Sequence, residues 1–328
     1  MSPIIVIFVV IALAFDFING FQDSANTVAT MISSRAMRPR QALLLSAAAH
    51  FSAPFIFGVA VATTIGHEVI QPYAGTMSVV LAALLAGIIW DLVTWFFGIP
   101  SSSSHALVGG LVGASLVGYG REAVQLHGLI KVAVALLVAP LAGLVGGYLL
   151  MKLVLFLARG ASPRINWFFK RAQVLTALAL ALSHGTNDAQ KTMGIITMGL
   201  VGAGVLTQFE VPTWVVAASA GAIALGTALG GWRIIHTLGG KFFKIRPVHG
   251  FTVQIASTTV ILGAALLGGP VSTSQVVSSA IMGVGSAERV NKVRWGVAGN
   301  ILMAWVLTIP ASAILAALIY LFLRLIVP

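Results

Sequence analysis

Charged side chains lie inside the long apolar segments of this sequence. A charge at bilayer depth is costly, so it faces a partner or a water-filled cavity and marks the path of an ion or a substrate. Two carboxylates, Asp23 and Asp188, lie beside amide side chains. Because carboxylate and amide oxygens suit a hard cation such as sodium, we predict a cation site formed by Asp23, Asn26, Asn187, Asp188 and Gln190. The alternative is a polar clamp between helices.

These two carboxylates belong to a repeated motif. GFQDSANT at residues 20–27 aligns with GTNDAQKT at residues 185–192, and the glycine, aspartate and threonine match at one offset. Clamps seldom recur with glycine and amides in both copies, so the repetition favours the cation site. Further side chains near the motifs are predicted as secondary participants, and these are Asn19, Gln22, Lys191, Asp16 and Asp91.

Three of the secondary residues break the symmetry of the two copies. Lys191 aligns with Asn26, and it could neutralise a carboxylate, contact an anion or replace a cation in one half. Asp16 and Asp91 have no acidic counterpart in the other copy. We interpret these two either as ion or proton groups, or as buried partners of Lys191 or of a helix end.

Two hydroxyl-rich segments are also repeated. PSSSSHALVGGLVG at residues 100–113 aligns with PVSTSQVVSSAIMG at residues 270–283, and each segment opens an apolar helix. The first turn of a helix has unpaired N–H groups and the positive end of the helix dipole, which favour an anion. One hydroxyl is enough to cap a helix. A run of them predicts an oxyanion pocket built from Ser102, Ser103, Ser104, Ser272, Thr273 and Ser274.

Histidines accompany both kinds of motif. His105 aligns with Gln275, and His184 aligns with Asn19. An amide keeps the hydrogen-bonding capacity of a histidine but lacks the imidazole nitrogen that binds transition metals, so hydrogen bonding is favoured over a histidine–carboxylate metal site. His105 and Gln275 are therefore predicted as further secondary participants. The remaining histidines, among them His50, are interpreted as loop or interface residues.

The composition defines the class of protein that positions these residues. Of 328 residues, 58% are hydrophobic and 8% are charged, whereas soluble domains carry about 25% charged residues. Apolar stretches near the ~20-residue span of a bilayer predict an all-α polytopic membrane protein. Cysteine is absent, which excludes disulfides and Cys–zinc sites. The net charge of +11 lies mostly in short loops, which is typical of the positive-inside pattern rather than of nucleic-acid binding.

The duplication divides the chain into two repeats, at residues 1–158 and 172–328, with a short basic cytoplasmic connection at residues 159–171. Each repeat has three predicted crossings and one hairpin, so the two repeats enter the membrane from opposite faces and have inverted topology. The loop charges place both termini outside the cell. We predict a broken helix at residues 3–34 and 172–201 and a helical hairpin at residues 77–118 and 248–287.

Inverted repeats with broken helices are typical of secondary transporters, whose site lies between the repeats at the bilayer midplane. A second hypothesis is a passive anion channel, which would carry an anion without dependence on an ion gradient. An intramembrane hydrolase is a third, with Ser104, His105 and Asp91 as its residues. Adjacent side chains diverge along a helix start, and the chain has no G-x-S-x-G elbow. We therefore predict a transporter and not an enzyme.

Four ordered motifs resemble those of the PiT-type inorganic phosphate transporters: NGFQDSANTVAT (19–30), WDLVTWFFGIPSSSSHALVGG (90–110), SHGTNDAQKTMG (183–194) and GGPVSTSQ (268–275). The resemblance covers essentially the whole chain, and Gln22 makes it closer to the bacterial low-affinity branch. It implies cation-coupled uptake of inorganic phosphate across the cell (inner) membrane. Phosphate would bind near the hydroxyl-rich hairpins and cations near the two Asp motifs.

The same resemblance implies a homodimer with extracellular termini. Some members use sodium, whereas the bacterial low-affinity branch is associated with protons and metal-phosphate complexes. Sodium or a proton is therefore the expected coupling ion, with no other cofactor. A few relatives carry sulfate, which is the alternative substrate. The large central hydrophilic loop of many relatives is missing here, since residues 158–171 form only a short basic connection.

Overall fold

The computed structural model describes residues 2–326, with all of their side chains except those of residues 67 and 68. Over this range the chain forms helices joined by short turns and contains no strand. The apolar stretches become helices because a helix satisfies its backbone hydrogen bonds internally, which hydrocarbon requires. The predicted all-α class is confirmed.

The described helices follow one another in the same order in the two halves. The first half contains α1 (Pro3–Ser33), α2 (Pro39–Phe57), α3 (Ala60–Thr63), α4 (Met77–Phe97), α5 (Ser103–Tyr119) and α6 (Leu126–Leu157). The second half contains α7 (Ile165–Gly202), α8 (Thr213–Leu229), α9 (Trp232–His236), α10 (Pro247–Leu266), α11 (Thr273–Glu288) and α12 (Trp295–Leu323). A π-helical turn follows both α3 and α9, at Thr64–Glu68 and Thr237–Lys241.

Several of these helices can span a bilayer. Within the described residues, five are long and apolar enough to cross a membrane, namely α1, α4, α6, α10 and α12. The number rises to seven if two bent pairs each count as one span. These pairs are α2 with α3, bent by 78°, and α8 with α9, bent by 60°. The chain is therefore a multi-pass membrane protein.

Each repeat contains a broken helix, as predicted, but the predicted position of the break is wrong. Instead of breaking within residues 3–34 and 172–201, α1 and α7 run continuously through both Asp motifs. The breaks follow Gly58 and Gly230, whose φ angles are 79° and 74°. The motif glycine serves close packing instead, because a Cβ on Gly20 would lie 2.2 Å from the main-chain oxygen of Ile223 in α8. Gly20 thus lets two helix backbones approach while its own helix continues.

Two helical hairpins lie at the hydroxyl-rich motifs. α4 and α5 form the first, and α10 and α11 form the second. Each turn contains a glycine in the left-handed region, Gly98 with φ 65° and Gly268 with φ 70°. This conformation is accessible to glycine without a steric cost, so it ends the first arm and redirects the chain. The hairpins predicted at residues 77–118 and 248–287 are thus part of the fold.

The hairpins join the two halves of the molecule. α5 packs most extensively against α12, and α11 packs most extensively against α6. A Cβ on Gly113 would lie 2.1 Å from the Ala313 main-chain oxygen, and one on Gly283 would lie 2.1 Å from the Leu144 main-chain oxygen. These two glycines align in the sequence repeat, so the same close approach recurs in both halves. Each repeat therefore completes its packing with the last helix of the other.

Candidate functional site

The two repeat-related carboxylates meet in the interior. α1 carries Asp23 and α7 carries Asp188, with exposures of 7% and 0%. The hydroxyl oxygen of Thr273 lies 3.0 Å from Asp188 Oδ2 and 3.4 Å from Asp23 Oδ2. Thr273 is the first residue of α11. The tip of the second hairpin therefore lies between the two Asp motifs.

Neutral donors surround Asp23. Its Oδ1 accepts a hydrogen bond of 2.9 Å from the Asn26 amide and one of 2.6 Å from the Ser274 hydroxyl. The Asn26 amide also lies 2.9 Å from Ser274 Oγ. Asp23 and Asn26 are one helical turn apart on α1, so the helix itself aligns them. Both then contact the hairpin of the other repeat.

Asp188 has charged and ionisable neighbours instead. Lys191, one turn further along α7, donates to Asp188 Oδ1 and forms an ion pair with it. The Lys191 ammonium also donates to the Val271 main-chain oxygen at 3.2 Å. His184 Nδ1 lies 3.1 Å from Asp188 Oδ2. The second Asp motif therefore carries its own counter-charge.

Three of these side chains lie close enough together to hold a metal ion. Asp23, His184 and Asp188 each offer a ligand atom, and these atoms lie within 4.8 Å of one another. All three residues are buried. The sequence favoured hydrogen bonding for His184, and its Nε2 does lie 3.4 Å from the Asn26 amide. Oxygen and imidazole donors of this kind can bind a cation, and carboxylates alone would select a harder one.

The two hairpin tips meet next to this cluster. The Ser102 hydroxyl accepts from the His105 backbone N–H at 3.1 Å, and the Ser272 hydroxyl accepts from the Gln275 backbone N–H at 3.4 Å. These two serines are the N-cap residues of α5 and α11, so one hydroxyl caps each helix. The His105 ring Nδ1 and the Gln275 amide lie 2.9 Å apart. The positive ends of two helices thus converge.

The other hydroxyls of the tips have separate partners. Ser104 donates to the Val271 main-chain oxygen at 3.1 Å, which links the two tips. Ser101 pairs with Thr94 at 2.7 Å. Ser103, at the first position of α5, aligns with Thr273 and is buried. The surplus of serines in the sequence therefore serves contacts between helices as well as capping.

The amide side chains fall into two groups. Asn26 lies in the carboxylate cluster, whereas Gln190 lies at the break between α2 and α3. There Gln190 accepts from the Val61 and Ala62 backbone N–H groups and donates to the Gly58 oxygen. A helix break exposes such backbone groups, and Gln190 satisfies them. The predicted cation-site role of Gln190 does not agree with this placement.

Two further amides brace their own hairpins. Gln22 donates to the main-chain oxygen of Asp91 in α4. Asn187, which aligns with Gln22, donates to the main-chain oxygen of Gly269 at 3.3 Å. Asn19 is buried one turn before Asp23. Gln22 and Asn187 therefore position the hairpins.

The unpaired carboxylates Asp16 and Asp91 are deeply buried, with exposures of 0% and 1%. Among the described residues, neither carboxylate receives a hydrogen bond of normal geometry. Lys191 forms its ion pair with Asp188, so it is not the ion-pair partner of either one. A buried carboxylate without an ion-pair partner is costly, which favours the interpretation of both as ion or proton groups.

His50 belongs to the site, contrary to its interpretation as a loop or interface residue. It is fully buried in α2, and its ring stacks on that of His184 with a centroid distance of 4.9 Å. Its Nδ1 lies 2.8 Å from the Thr227 hydroxyl. The sequence signal for a buried position was the place of His50 within an apolar helical segment. The packing partner lies more than 100 residues away, so the sequence did not connect the two rings.

The geometry disfavours the hydrolase reading. Ser104 donates to a backbone oxygen, and the His105 ring pairs with Gln275. The Asp91 carboxylate makes no hydrogen bond to either residue within the described chain. A catalytic triad requires a continuous chain of hydrogen bonds from serine to histidine to carboxylate. That chain is not present among these three residues.

An all-helical, multi-pass protein whose halves meet at buried carboxylates and converging helix N-termini has the architecture of a membrane transporter. The sequence profile of the phosphate transporter family matches residues 19–316. The chain belongs to this family, which confirms the resemblance stated from its four motifs.

Similar proteins agree with this assignment. The chain is 45% identical over 326 residues to a probable low-affinity inorganic phosphate transporter of Bacillus subtilis, covering 98% of this chain and 97% of the relative. It is 47% identical over 320 residues to one of Rhizobium meliloti, covering 97% and 96%. A solved structure described as the sodium-dependent phosphate transporter superposes with a TM-score of 0.89 at 26% identity, over 99% of this chain and 100% of that one.

Proposed function

We propose that this protein carries inorganic phosphate across the cell membrane by symport with a cation, sodium or a proton. The observation that supports this most directly is the position of Thr273. Its hydroxyl lies between Asp23 and Asp188, at the tip of a hairpin that also meets the other hairpin tip. The residues that we assign as cation ligands and as anion donors therefore lie in one buried region.

The electrostatics explain why the two functions belong together. Moving one negative charge into a cell against 100 mV costs about 2.3 kcal/mol. One cation bound with a monovalent anion cancels this charge, and two or more cations reverse its sign. We assign the cation site to Asp23, Asn26, Asn187 and Asp188. The side-chain oxygen of Asn187 has no hydrogen-bond partner among the described residues, whereas the oxygen and the nitrogen of the Gln190 amide are both engaged at a helix break, so Gln190 is omitted. Asp16 and Asp91 are candidates for accessory ion or proton groups.

The phosphate site is assigned to the two hairpin tips. Hydroxyl groups and backbone N–H groups at converging helix N-termini favour an oxyanion without adding fixed charge. The assigned residues are Ser102, Ser103, Ser104, Ser272, Thr273 and Ser274. Thr273 and Ser274 donate to the two carboxylates, so these hydroxyls would change partner when phosphate binds. Such a change couples anion binding to the state of the carboxylates.

The mechanism we assign is alternating access. In inverted-repeat transporters, one set of elements rocks against the other around a fixed site. The two hairpins, α4–α5 and α10–α11, are the elements that meet at the site, and each packs on the last helix of the other repeat. We further propose a homodimer in the cell membrane with both termini outside.

The choice of coupling ion is decided by a transport experiment. The purified protein is reconstituted in vesicles, and uptake of labelled phosphate is measured under an imposed sodium gradient, an imposed proton gradient or neither. We expect one gradient to drive accumulation. The similar solved structure is described as a sodium-dependent transporter, which supports sodium as the coupling ion. Carboxylates also bind protons, which is why the proton gradient is tested beside it. Uptake that is indifferent to both gradients would instead identify a passive channel.

Two further arms of the same experiment define the substrate. Excess unlabelled sulfate tests whether the pocket accepts another oxyanion, and we expect phosphate to compete far better. Omission of divalent metals tests whether a metal-phosphate complex is the carried species. Loss of uptake without divalent metals would identify the complex as the substrate.

A further inference from the structure

Lys191 occupies in one repeat the position that a neutral amide holds in the other. The alignment that pairs Asp23 with Asp188 also pairs Asn26 with Lys191. Both residues follow their aspartate by three positions, and both donate to Oδ1 of that aspartate. The two Asp motifs are thus equivalent in geometry but differ by one positive charge.

The Lys191 ammonium has the surroundings of a bound cation. Its side chain is 1% exposed. It contacts a carboxylate oxygen of Asp188 and, at 3.2 Å, the Val271 main-chain oxygen in the turn of the second hairpin. Carboxylate and main-chain oxygens are the ligands that a sodium ion takes in transporters with broken helices. The ammonium therefore occupies the position that a cation would take beside Asp188.

Asp23 has no such internal partner. Its described hydrogen-bond donors are Asn26, Ser274 and Thr273, all of which are neutral. Among the described side chains, no lysine or arginine lies within ion-pair distance of it. A buried carboxylate is stable only when its charge is neutralised. Asp23 therefore takes a proton or another cation from outside the chain, whereas Asp188 has the Lys191 ammonium in direct contact.

We infer that the Lys191 ammonium is a tethered cation that fills one of two repeat-related cation positions, so that one exchangeable cation site remains, at Asp23. This inference rests on the proposed symport. It explains why Asn26 in one copy of the motif is replaced by a charged side chain, Lys191, in the other copy. It also sets the coupling, because a relative with two neutral amides at these positions would bind one more cation for each phosphate.

The test measures the number of cations moved with each phosphate. Vesicles hold a fixed gradient of the driving cation, and the phosphate gradient at which net flux is zero gives the ratio. In Lys191→Asn, which copies Asn26, we expect the ratio to rise by one because Asp188 then binds an exchangeable cation. The matched control is Lys170→Asn, since Lys170 is exposed on the same helix, and its ratio should equal that of the wild type.

A charge-balanced variant tests the inference without leaving a buried charge. Asp188→Asn alone leaves the ammonium unpaired and should lose uptake. Asp188→Asn combined with Lys191→Asn should regain uptake with the wild-type ratio. A ratio in Lys191→Asn equal to that of the wild type would overturn the inference. A folded double variant that lacks uptake would also overturn the inference. So would a double variant in which the number of cations per phosphate falls by one, because Asp188 would then bind a diffusible cation in the wild type. Failure of the symport itself is distinguishable, since wild-type uptake would then ignore both gradients.

Discussion

At the scale of single residues, the site is organised around two carboxylates in unlike surroundings. Asp23 is held by neutral donors, and Asp188 by the Lys191 ammonium and the His184 ring. The Thr273 hydroxyl is within reach of both carboxylates. One hydroxyl has one proton, so it can donate to only one of them at a time. The state of either carboxylate is thereby communicated to the tip of α11.

The carboxylates themselves give the first prediction. Asp23→Asn and Asp188→Asn should each abolish gradient-driven phosphate uptake in vesicles while leaving the protein folded. The amide is nearly the same size but carries no charge. At position 23 it removes the charge that would bind the exchangeable cation, and at position 188 it leaves the buried Lys191 ammonium without its ion-pair partner. Glu122→Gln is the control, because Glu122 is an exposed carboxylate near the end of α5. Near-normal driven uptake in either Asp variant would refute its assignment to the cation site.

The shared hydroxyl gives the second prediction. Thr273→Val keeps the shape of the side chain and removes the donor to the carboxylates. Hydrogen bonds to charged groups contribute about 1.5–3 kcal/mol, so the uptake rate should fall about ten- to hundredfold. Thr259→Val is the matched control on the neighbouring arm, since its exposed hydroxyl bonds only to the Ile255 oxygen of its own helix. Equal rates for the two variants would remove Thr273 from the mechanism.

At the scale of elements, close helix packing places the site. α1 packs against α8, and α2 packs against α7 and α8. In α8, Gly226 sits where a Cβ would lie 2.0 Å from the Phe17 main-chain oxygen and 2.7 Å from the Phe21 backbone nitrogen of α1. Without this approach, α1 could not bring Asp23 to the hairpin of the second repeat. Glycine in these helices therefore controls distance rather than flexibility.

A pair of glycines on α8 supplies the third prediction. Gly226→Ala forces the backbones apart and should lower the free energy of unfolding by about 1–3 kcal/mol, with a lower melting temperature in detergent. Gly221→Ala should be neutral or stabilising by up to about 1 kcal/mol, because a Cβ there meets nothing within 4 Å. Equal melting temperatures for the two variants would contradict the packing argument.

At the scale of the whole molecule, the two repeats complete each other. Each hairpin tip contacts the Asp motif or tip of the opposite half, through Asn26 with Ser274 and His105 with Gln275. Neither repeat therefore contains the site alone. An inverted pair of this kind presents similar elements to both faces of the membrane, which suits a site that opens to each side in turn.

The orientation of the molecule is the fourth prediction, and the absence of cysteine makes it simple to test. Glu122 and Ser162 flank α6 and are both exposed. In intact cells, an impermeant maleimide should label Glu122→Cys, whereas Ser162→Cys should react only after permeabilisation. This expectation follows from the positive-inside pattern, which predicts that the basic connection lies in the cytoplasm. The opposite pattern of labelling would invert the proposed orientation. Labelling of both cysteine variants from outside would contradict the crossing of the membrane by α6.

The sequence alone determined the fold class, the duplication and the hairpins, and it identified the main candidate site residues. Span length, hydropathy and a repeated motif at one offset are properties of the linear chain, so Asp23, Asp188 and the two hydroxyl-rich tips were identifiable without coordinates. The local capping by Ser102 and Ser272 was predictable for the same reason, because it involves neighbours within one turn.

The tertiary structure alone decided where the helices break and which polar groups meet. A break was expected within residues 3–34, but α1 is continuous and its Gly20 packs against α8. Gln190 was expected at the cation site, but it satisfies the backbone groups at the break between α2 and α3. His50 was placed on a loop or interface, but it stacks on His184. Each outcome depends on contacts between helices more than 100 residues apart. Packing between helices also brings Lys191 to the second hairpin, and it thereby distinguishes two motifs that share their glycine, aspartate and threonine.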